Sequence, residues 1–304
     1  MDLKPLDTGT EGSNIVLLLD FPHKDASYKG DLLSGRAGYT LHQLLNNAGI
    51  AINQCFITYC HDVQENKGLI NTKGAFSEQG NRIREEVLER FKNIQCNIIV
   101  PLGMFACATL TGDHRIKFNR GSLSWNSEIE RKILPTFSPG NIMFQAPERL
   151  MSSMDFKKAL VNSKDAVYVE PEHTFHINPS ITEAEDFLAY CKKAGTPVSV
   201  DIETLNGFVF CVDVTTAMCI NFDNRTIEEE VVLWRMCAEF LEDETIPKLG
   251  QNLIFDIWFL AFRHRCYVKG YIDDTMVAHH ILYPDLPKGL GTLTTLHTDE
   301  RYYK

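Results

Sequence analysis

In Val198-Ser-Val-Asp-Ile-Glu-Thr204 two carboxylates are separated by a single residue. The segment reads as a strand, and the period of two along a strand turns Asp201 and Glu203 to the same side. Two like charges side by side are costly unless a cation neutralises them. Hard oxygen ligands of this kind suit Mg²⁺ or Mn²⁺. A solvated strand edge accommodates the same pair, so the reading depends on what else the chain supplies. Lys248-Leu-Gly-Gln-Asn-Leu-Ile-Phe-Asp256 places Asn252 and Asp256 four residues apart, and a helix beginning there sets both on one face. In Ile272-Asp-Asp-Thr-Met-Val-Ala-His-His-Ile-Leu282, Asp274-Thr275 opens a further helix beside the site.

Other groupings read as structural. His279, His280 and Asp285 have the look of a metal-ligand set, but Pro284 breaks the helix before Asp285. Arg82, Arg84, Arg90 and Lys92 share a segment with Glu85, Glu86 and Glu89, the composition of a solvated face. There is no phosphate-binding loop of the Walker type. The nine cysteines include no C-x-x-C pair and sit mostly in apolar runs, so they read as buried free thiols rather than as a zinc or iron–sulfur site.

The elements that position these residues are legible in outline. At 304 residues two domains are expected. Asn14–Asp20, Cys55–Thr58 and Asn97–Leu102 are short apolar runs of the buried-strand type, and a short strand starts at Ile133–Pro135. Helices are expected over Tyr39–Ala48, Arg82–Phe91 and Met104–Leu110. Strand and helix in alternation argue for an α/β sandwich with a mostly parallel sheet. Residues 161–173 lack a period and read as a linker. Beyond it, Thr182-x-x-Glu185 suits a capping box opening a helix to about Ala194. Strands at Val198, Phe208–Val214 and Ala217–Phe222 follow, then a helix over Ile227–Leu241. The charge is uneven: residues 1–160 hold 18 Lys and Arg against 17 Asp and Glu, and residues 161–304 hold 12 against 23. So acidic a second half reaches nucleic acid only through metal ions or neighbouring basic surface.

The three acidic segments together resemble the proofreading exonuclease domain of family A DNA polymerases, over residues 174–304. That resemblance implies a ribonuclease-H-like fold. It makes Asp201, Glu203 and Asp256 the ligands of two Mg²⁺ or Mn²⁺ ions, Asn252 a supporting residue, and Asp274 a group that steadies the ligands without touching metal. It implies metal-assisted hydrolysis of the 3′-terminal phosphodiester of a single-stranded DNA end. Leu205 and Phe255 are the neighbours expected to stack on its bases. The family's third motif, Tyr-x-x-x-Asp, is not found between Tyr271 and Lys304. The exonuclease domain is therefore expected to be incomplete at its C-terminus, and weak or inactive on its own.

Residues 14–160 resemble the uracil-DNA glycosylase superfamily, on Gly30-Asp-Leu-Leu-Ser-Gly-Arg-Ala-Gly38, Val100-Pro-Leu-Gly103 and Leu134-Pro-Thr-Phe-Ser-Pro139. The departures fall on the pocket. Asp20 stands in the first motif and could still activate water. Leu33 replaces the stacking Phe, Tyr59 the base-reading Asn, and Ser138 the catalytic His. A glycosylase needs stacking, edge hydrogen bonds and an electrophilic donor together. The first domain, residues 1–160, is thus expected to keep an α/β/α glycosylase fold without the chemistry, and to bind DNA or brace a polymerase. The expectation for the whole is the proofreading part of a phage-like family A polymerase. Its polymerase domain would lie in the same or a separate chain. The rivals are an active base-excision glycosylase with an altered pocket and a non-catalytic DNA-binding or assembly module. No apolar run spans a membrane and no secretion signal is seen, which points to the cytoplasm of a bacterial or phage-infected cell.

Overall fold

A computed structural model describes residues 4–62, 65–203 and 207–302. The chain forms two compact units, one of residues up to Val169 together with those from Gly291 on, the other of Glu170–Leu290. The expected division put everything after residue 173 into the second domain; the segment from Gly291 on instead packs with the first.

The first unit runs β1 (Thr8–Gly9), β2 (Ile15–Leu19), α1 (Lys24–Lys29), α2 (Gly35–Ala48), β3 (Cys55–Tyr59), α3 (Glu78–Lys92), β4 (Ile98–Leu102), α4 (Met104–Thr111), α5 (Ile116–Asn119), β5 (Ser124–Asn126), β6 (Arg131–Ile133) and α6 (Ala146–Asn162). Its sheet has the order β1-β3-β2-β4-β6-β5, with β3, β2, β4 and β6 parallel. Every residue of β2, β3 and β4 is buried, because helices cover both faces of such a sheet. Val87, Leu88 and Phe91 of α3 and Phe105 of α4 pack on Val16, Leu18, Phe56 and Ile99.

The second unit runs β7 (Thr174–Ile177), α7 (Ile181–Ala194), β8 (Val198–Glu203), β9 (Gly207–Cys211), β10 (Thr216–Asn221), α8 (Ile227–Glu242), β11 (Lys248–Gly250), α9 (Leu253–Phe259), β12 (Tyr271–Asp274) and α10 (Thr275–Leu282). The sheet order β12-β11-β8-β9-β10-β7 combines an antiparallel β8-β9-β10 meander with β11 and β12 added parallel on the other side of β8. This is an α/β unit, as expected. Leu188 and Cys191 of α7 and Leu233, Cys237 and Phe240 of α8 cover one face, against Val198, Val200, Phe208, Phe210 and Ile220. The capping box that opens α7 is Ser180–Glu183, not Thr182–Glu185. The Ser180 hydroxyl accepts from the Glu183 N–H while Glu183 Oε2 accepts from the Ser180 N–H at 2.8 Å, so the helix starts earlier in the chain. No helix of the described residues is long and apolar enough to cross a membrane.

A last helix, α11 (Leu290–His297), brings the C-terminal segment to the first unit. Arg120, 2% exposed, donates from Nε to Asp155 at 2.9 Å and from Nη1 to Thr295 Oγ1 at 3.3 Å. Asp155 also accepts from Thr136 at 2.6 Å. Lys158 donates to the carbonyls of Gly121 and Thr295 at 2.5 and 2.9 Å. Removing one member of a buried, hydrogen-bonded ion pair leaves the other uncompensated, a loss of about 3–5 kcal/mol. Arg120→Ala should therefore lower the denaturation midpoint steeply, while Arg82→Ala, on an exposed pair with Glu78, should shift it hardly at all. Chemical denaturation followed by circular dichroism compares the two.

Candidate active site

β8 alternates: Val198 and Val200 are buried in the core, and Asp201 and Glu203 stand exposed on the opposite face. The strand is central, so its backbone is paired on both sides at first, with β9 along its length and with β11 through Lys248↔Val198 and Leu249↔Ser199. β11 ends at Gly250, where a Cβ would lie 2.9 Å from the Val200 carbonyl. Beyond that point the chain turns away into α9, and the Ile202 N–H, between the two exposed carboxylates, has no strand partner on this side. Asp256 takes it: its Oδ1 accepts from Ile202 N at 3.2 Å. One hydrogen bond thus ties the second acidic segment to the backbone between Asp201 and Glu203.

Asp256 is only 6% exposed, and burial, followed by the neighbouring charge of Asp201, pushes its carboxyl up to about 6 from an ordinary value of 3.8. The site therefore holds a desolvated carboxyl that resists ionising beside a second carboxylate. That is the electrostatic condition a divalent cation relieves. The half-buried thiols Cys211 and Cys219 lie near Asp201 and Glu203. Burial first and those carboxylates second push both thiols up, so they stay protonated and the donors on this face are oxygens. Among the described residues no three His, Cys, Asp or Glu side chains already close on a common point. Asp201 and Asp256 are within electrostatic reach of each other, and Glu203 shares the strand face two residues further on.

Asn252 does not share a helical face with Asp256. It precedes α9 in the left-handed region, φ 58°, a conformation asparagine tolerates, and aims the helix back over β8. Asp274 fixes that turn. Its carboxylate accepts from Asn252 N at 3.1 Å and Leu253 N at 2.7 Å, and also from Met276 N at 2.8 Å in the first turn of α10. One side chain thus caps the helix that carries Asp256 and the helix that follows it. Thr275 Oγ1 donates to the Gly250 carbonyl at 3.2 Å, closing the same corner. Phe255 is partly exposed beside Asp256, stacked on Phe259 with ring centroids 6.2 Å apart. Leu205 lies outside the described residues. His279 is buried beside Tyr283, and α10 ends at Leu282 before Pro284.

In the first unit, two of the four glycosylase-pocket positions, Asp20 and Tyr59, are buried with side-chain partners of their own. Asp20, 7% exposed at the end of β2, accepts from Ala106 N at 2.7 Å and from Asn66 Nδ2 at 2.6 Å, and the backbone N–H groups of Phe105 and Met104 also reach it. It caps the N-terminus of α4, whose own N-cap is Gly103; a Cβ there would lie 2.6 Å from the Asp20 carboxylate. Burial raises the Asp20 carboxyl and these donors partly offset it. At 7% exposure the carboxylate is engaged by these donors. Tyr59 is buried under the Lys4 ammonium, which lies 4.6 Å from its ring centroid, and its hydroxyl bonds Asp62 rather than facing a base. Leu33 is half-buried with its N–H on Asp31 at 2.9 Å, and the Ser138 carbonyl accepts from Asn141 N. Sequence reasoning missed the Asp20–Asn66–His61 chain, in which His61 Nε2 meets Asn66 Oδ1 at 3.0 Å, because these residues are 46 and 5 positions apart. It also missed His23, whose ring packs against Gly140 so closely that a Cβ there would overlap it.

A family model described as 3′-5′ exonuclease matches residues 176–299. The type-4 uracil-DNA glycosylase of Archaeoglobus fulgidus is 24% identical over 157 residues, covering 49% of this chain and 77% of that protein. Among solved structures, the EXD2 exonuclease domain soaked in Mg and dGMP aligns with 40% of this chain and 68% of its own at 16% identity and a TM-score of 0.28. The same domain soaked in Mn and Mg aligns over the same shares with the same identity and TM-score.

The raised Asp256 carboxyl gives a pH test. Between about pH 4 and pH 6 the folded protein holds a proton that the unfolded chain has lost, so the metal-free fold loses stability as pH rises through that window. A cation bound to the ionised pair restores it. Millimolar Mn²⁺ should raise Tm more at pH 7.5 than at pH 5, relative to EDTA, and Asp256→Asn should remove the difference. Differential scanning fluorimetry measures it, and equal shifts at both pH values would count against the assignment.

Proposed function

We propose that the second unit is a divalent-metal-dependent 3′→5′ exonuclease acting on single-stranded DNA ends. The observation that carries this is the Asp256–Ile202 hydrogen bond, which brings the second acidic segment to the strand positions of Asp201 and Glu203. Asp201, Glu203 and Asp256 would hold two Mg²⁺ or Mn²⁺ ions. When bound, these supply Lewis-acid activation of water and charge neutralisation at the leaving oxygen. The protein's own part is to gather oxygen donors, hold Asp256 out of bulk water and fix α9 through Asp274. Phe255, exposed and stacked on Phe259, would offer its ring to the terminal base, with Leu205 as its expected companion.

The order Asp-x-Glu, Asn-x-x-x-Asp, Asp-Thr-Met supports a finer reading, the proofreading portion of a DNA polymerase whose polymerizing domain is in the same or another chain. The first unit keeps a glycosylase-type fold as a non-catalytic DNA-binding or bracing module. The capping duty of Asp20 speaks against the rival of an active glycosylase.

Digestion of a 5′-labelled single strand, slow because Tyr-x-x-x-Asp is not found between Tyr271 and Lys304, should shorten it from its 3′ end, depend on Mg²⁺ or Mn²⁺, and be abolished in Asp201→Ala. Activity that survives this substitution would sink the assignment. Uracil-containing single- and double-stranded DNA should gain no abasic sites. Excision that disappears in Asp20→Asn would show instead that the first unit is a working glycosylase.

A further inference from the structure

We propose that Trp258 and Phe262 form a base-stacking platform for the single strand upstream of its 3′ end. The proposal deepens the exonuclease reading above and rests on it. α9 continues into a π-helical turn, Leu260–His264. Its inward side is buried through Leu253, Asp256 and Leu260. On its outward side Trp258 and Phe262, four apart, are 61% and 65% exposed. Their rings lie 5.2 Å apart between centroids and within 3° of parallel. The indole and phenyl rings are stacked on each other in water, and the outer face of the stack is an apolar surface of the kind nucleobases extend.

The charge beside it is matched to a phosphate backbone. Residues 170–290 hold 9 Lys and Arg against 20 Asp and Glu, a balance that repels DNA. Arg263 and Arg265 follow Phe262 directly and are exposed, and neither side chain has an ion pair among the described residues. Cations placed next to exposed rings suit a strand that offers bases and phosphates in alternation. A purely apolar protein partner would use the rings and leave the arginines unanswered.

The platform lies on the side of α9 away from Asp256, one helix width of about 10 Å across. A strand ending at Asp256 reaches it only after running past its last few nucleotides. This predicts a length dependence. Trp258→Ala with Phe262→Ala should raise KM for an oligothymidylate of about twelve nucleotides by about tenfold or more, with kcat held. It should leave KM for one of about two nucleotides unchanged. In EDTA the twelve-mer should quench tryptophan fluorescence. Trp258→Phe should abolish that quench while keeping the wild-type affinity, since phenylalanine still stacks; this variant also guards against a folding defect in the double alanine.

If the double variant keeps the wild-type length dependence while Asp201→Ala abolishes digestion, the platform is wrong and the exonuclease reading stands. If Asp201→Ala leaves digestion intact, the exonuclease reading fails, and the platform is then decided by the quench: its absence overturns it. Unchanged DNA binding in every variant would assign the rings to a protein partner instead.

Discussion

The second unit depends on a backbone N–H that its sheet leaves unpaired. Where β11 stops at Gly250, the Ile202 N–H is left without a strand acceptor on that side. The Asp256 carboxylate fills that position. The same bond that completes the sheet draws an acidic side chain into partial burial beside Asp201. Sheet geometry and site electrostatics are therefore one constraint: satisfying the backbone creates the carboxylate crowding that a cation would relieve.

That arrangement requires α9 to start at a fixed angle, and two further groups supply it. Asp274 answers the orphan N–H groups at the starts of α9 and α10 together. Lys248, fully buried at the start of β11, donates to the carbonyls of Asp243, Ile246 and Lys269 at 2.8–3.0 Å. Burial pulls its ammonium down to about 8, so the bonds to three carbonyls are what keep the charge tolerable at neutral pH. It gathers the end of α8 and the approach to β12 around the strand that must end at Gly250.

The first unit uses a carboxylate at the end of a parallel strand for a different purpose. Asp20 meets the N-terminus of α4, where the helix dipole and free N–H groups favour an anion. A position that the glycosylase resemblance leaves available for chemistry is thereby spent on holding a helix to the sheet. Tyr59 is drawn off similarly by Lys4 and Asp62.

The sequence alone specified the element types, because burial on both faces demands the continuous apolar runs of β2, β3 and β4, and because alternation along β8 places Asp201 and Glu203 on one side. It also specified that Asp274 starts a helix, since Asp-Thr before an apolar run is a local signal. It could not specify what spans the chain. Asn252 and Asp256 were legible as a spacing of four, but the left-handed turn at Asn252, which takes them off a shared face, depends on Asp274 twenty-two residues away. Asp20 was legible as a carboxylate able to act on water; only the packing of α4 decided that it caps a helix 86 positions on. The packing of the segment after Leu290 with the first unit rests on Arg120 and Lys158, far away in sequence. Local pattern fixes which face of an element is apolar, whereas the partner of a buried polar group is settled only when distant segments meet.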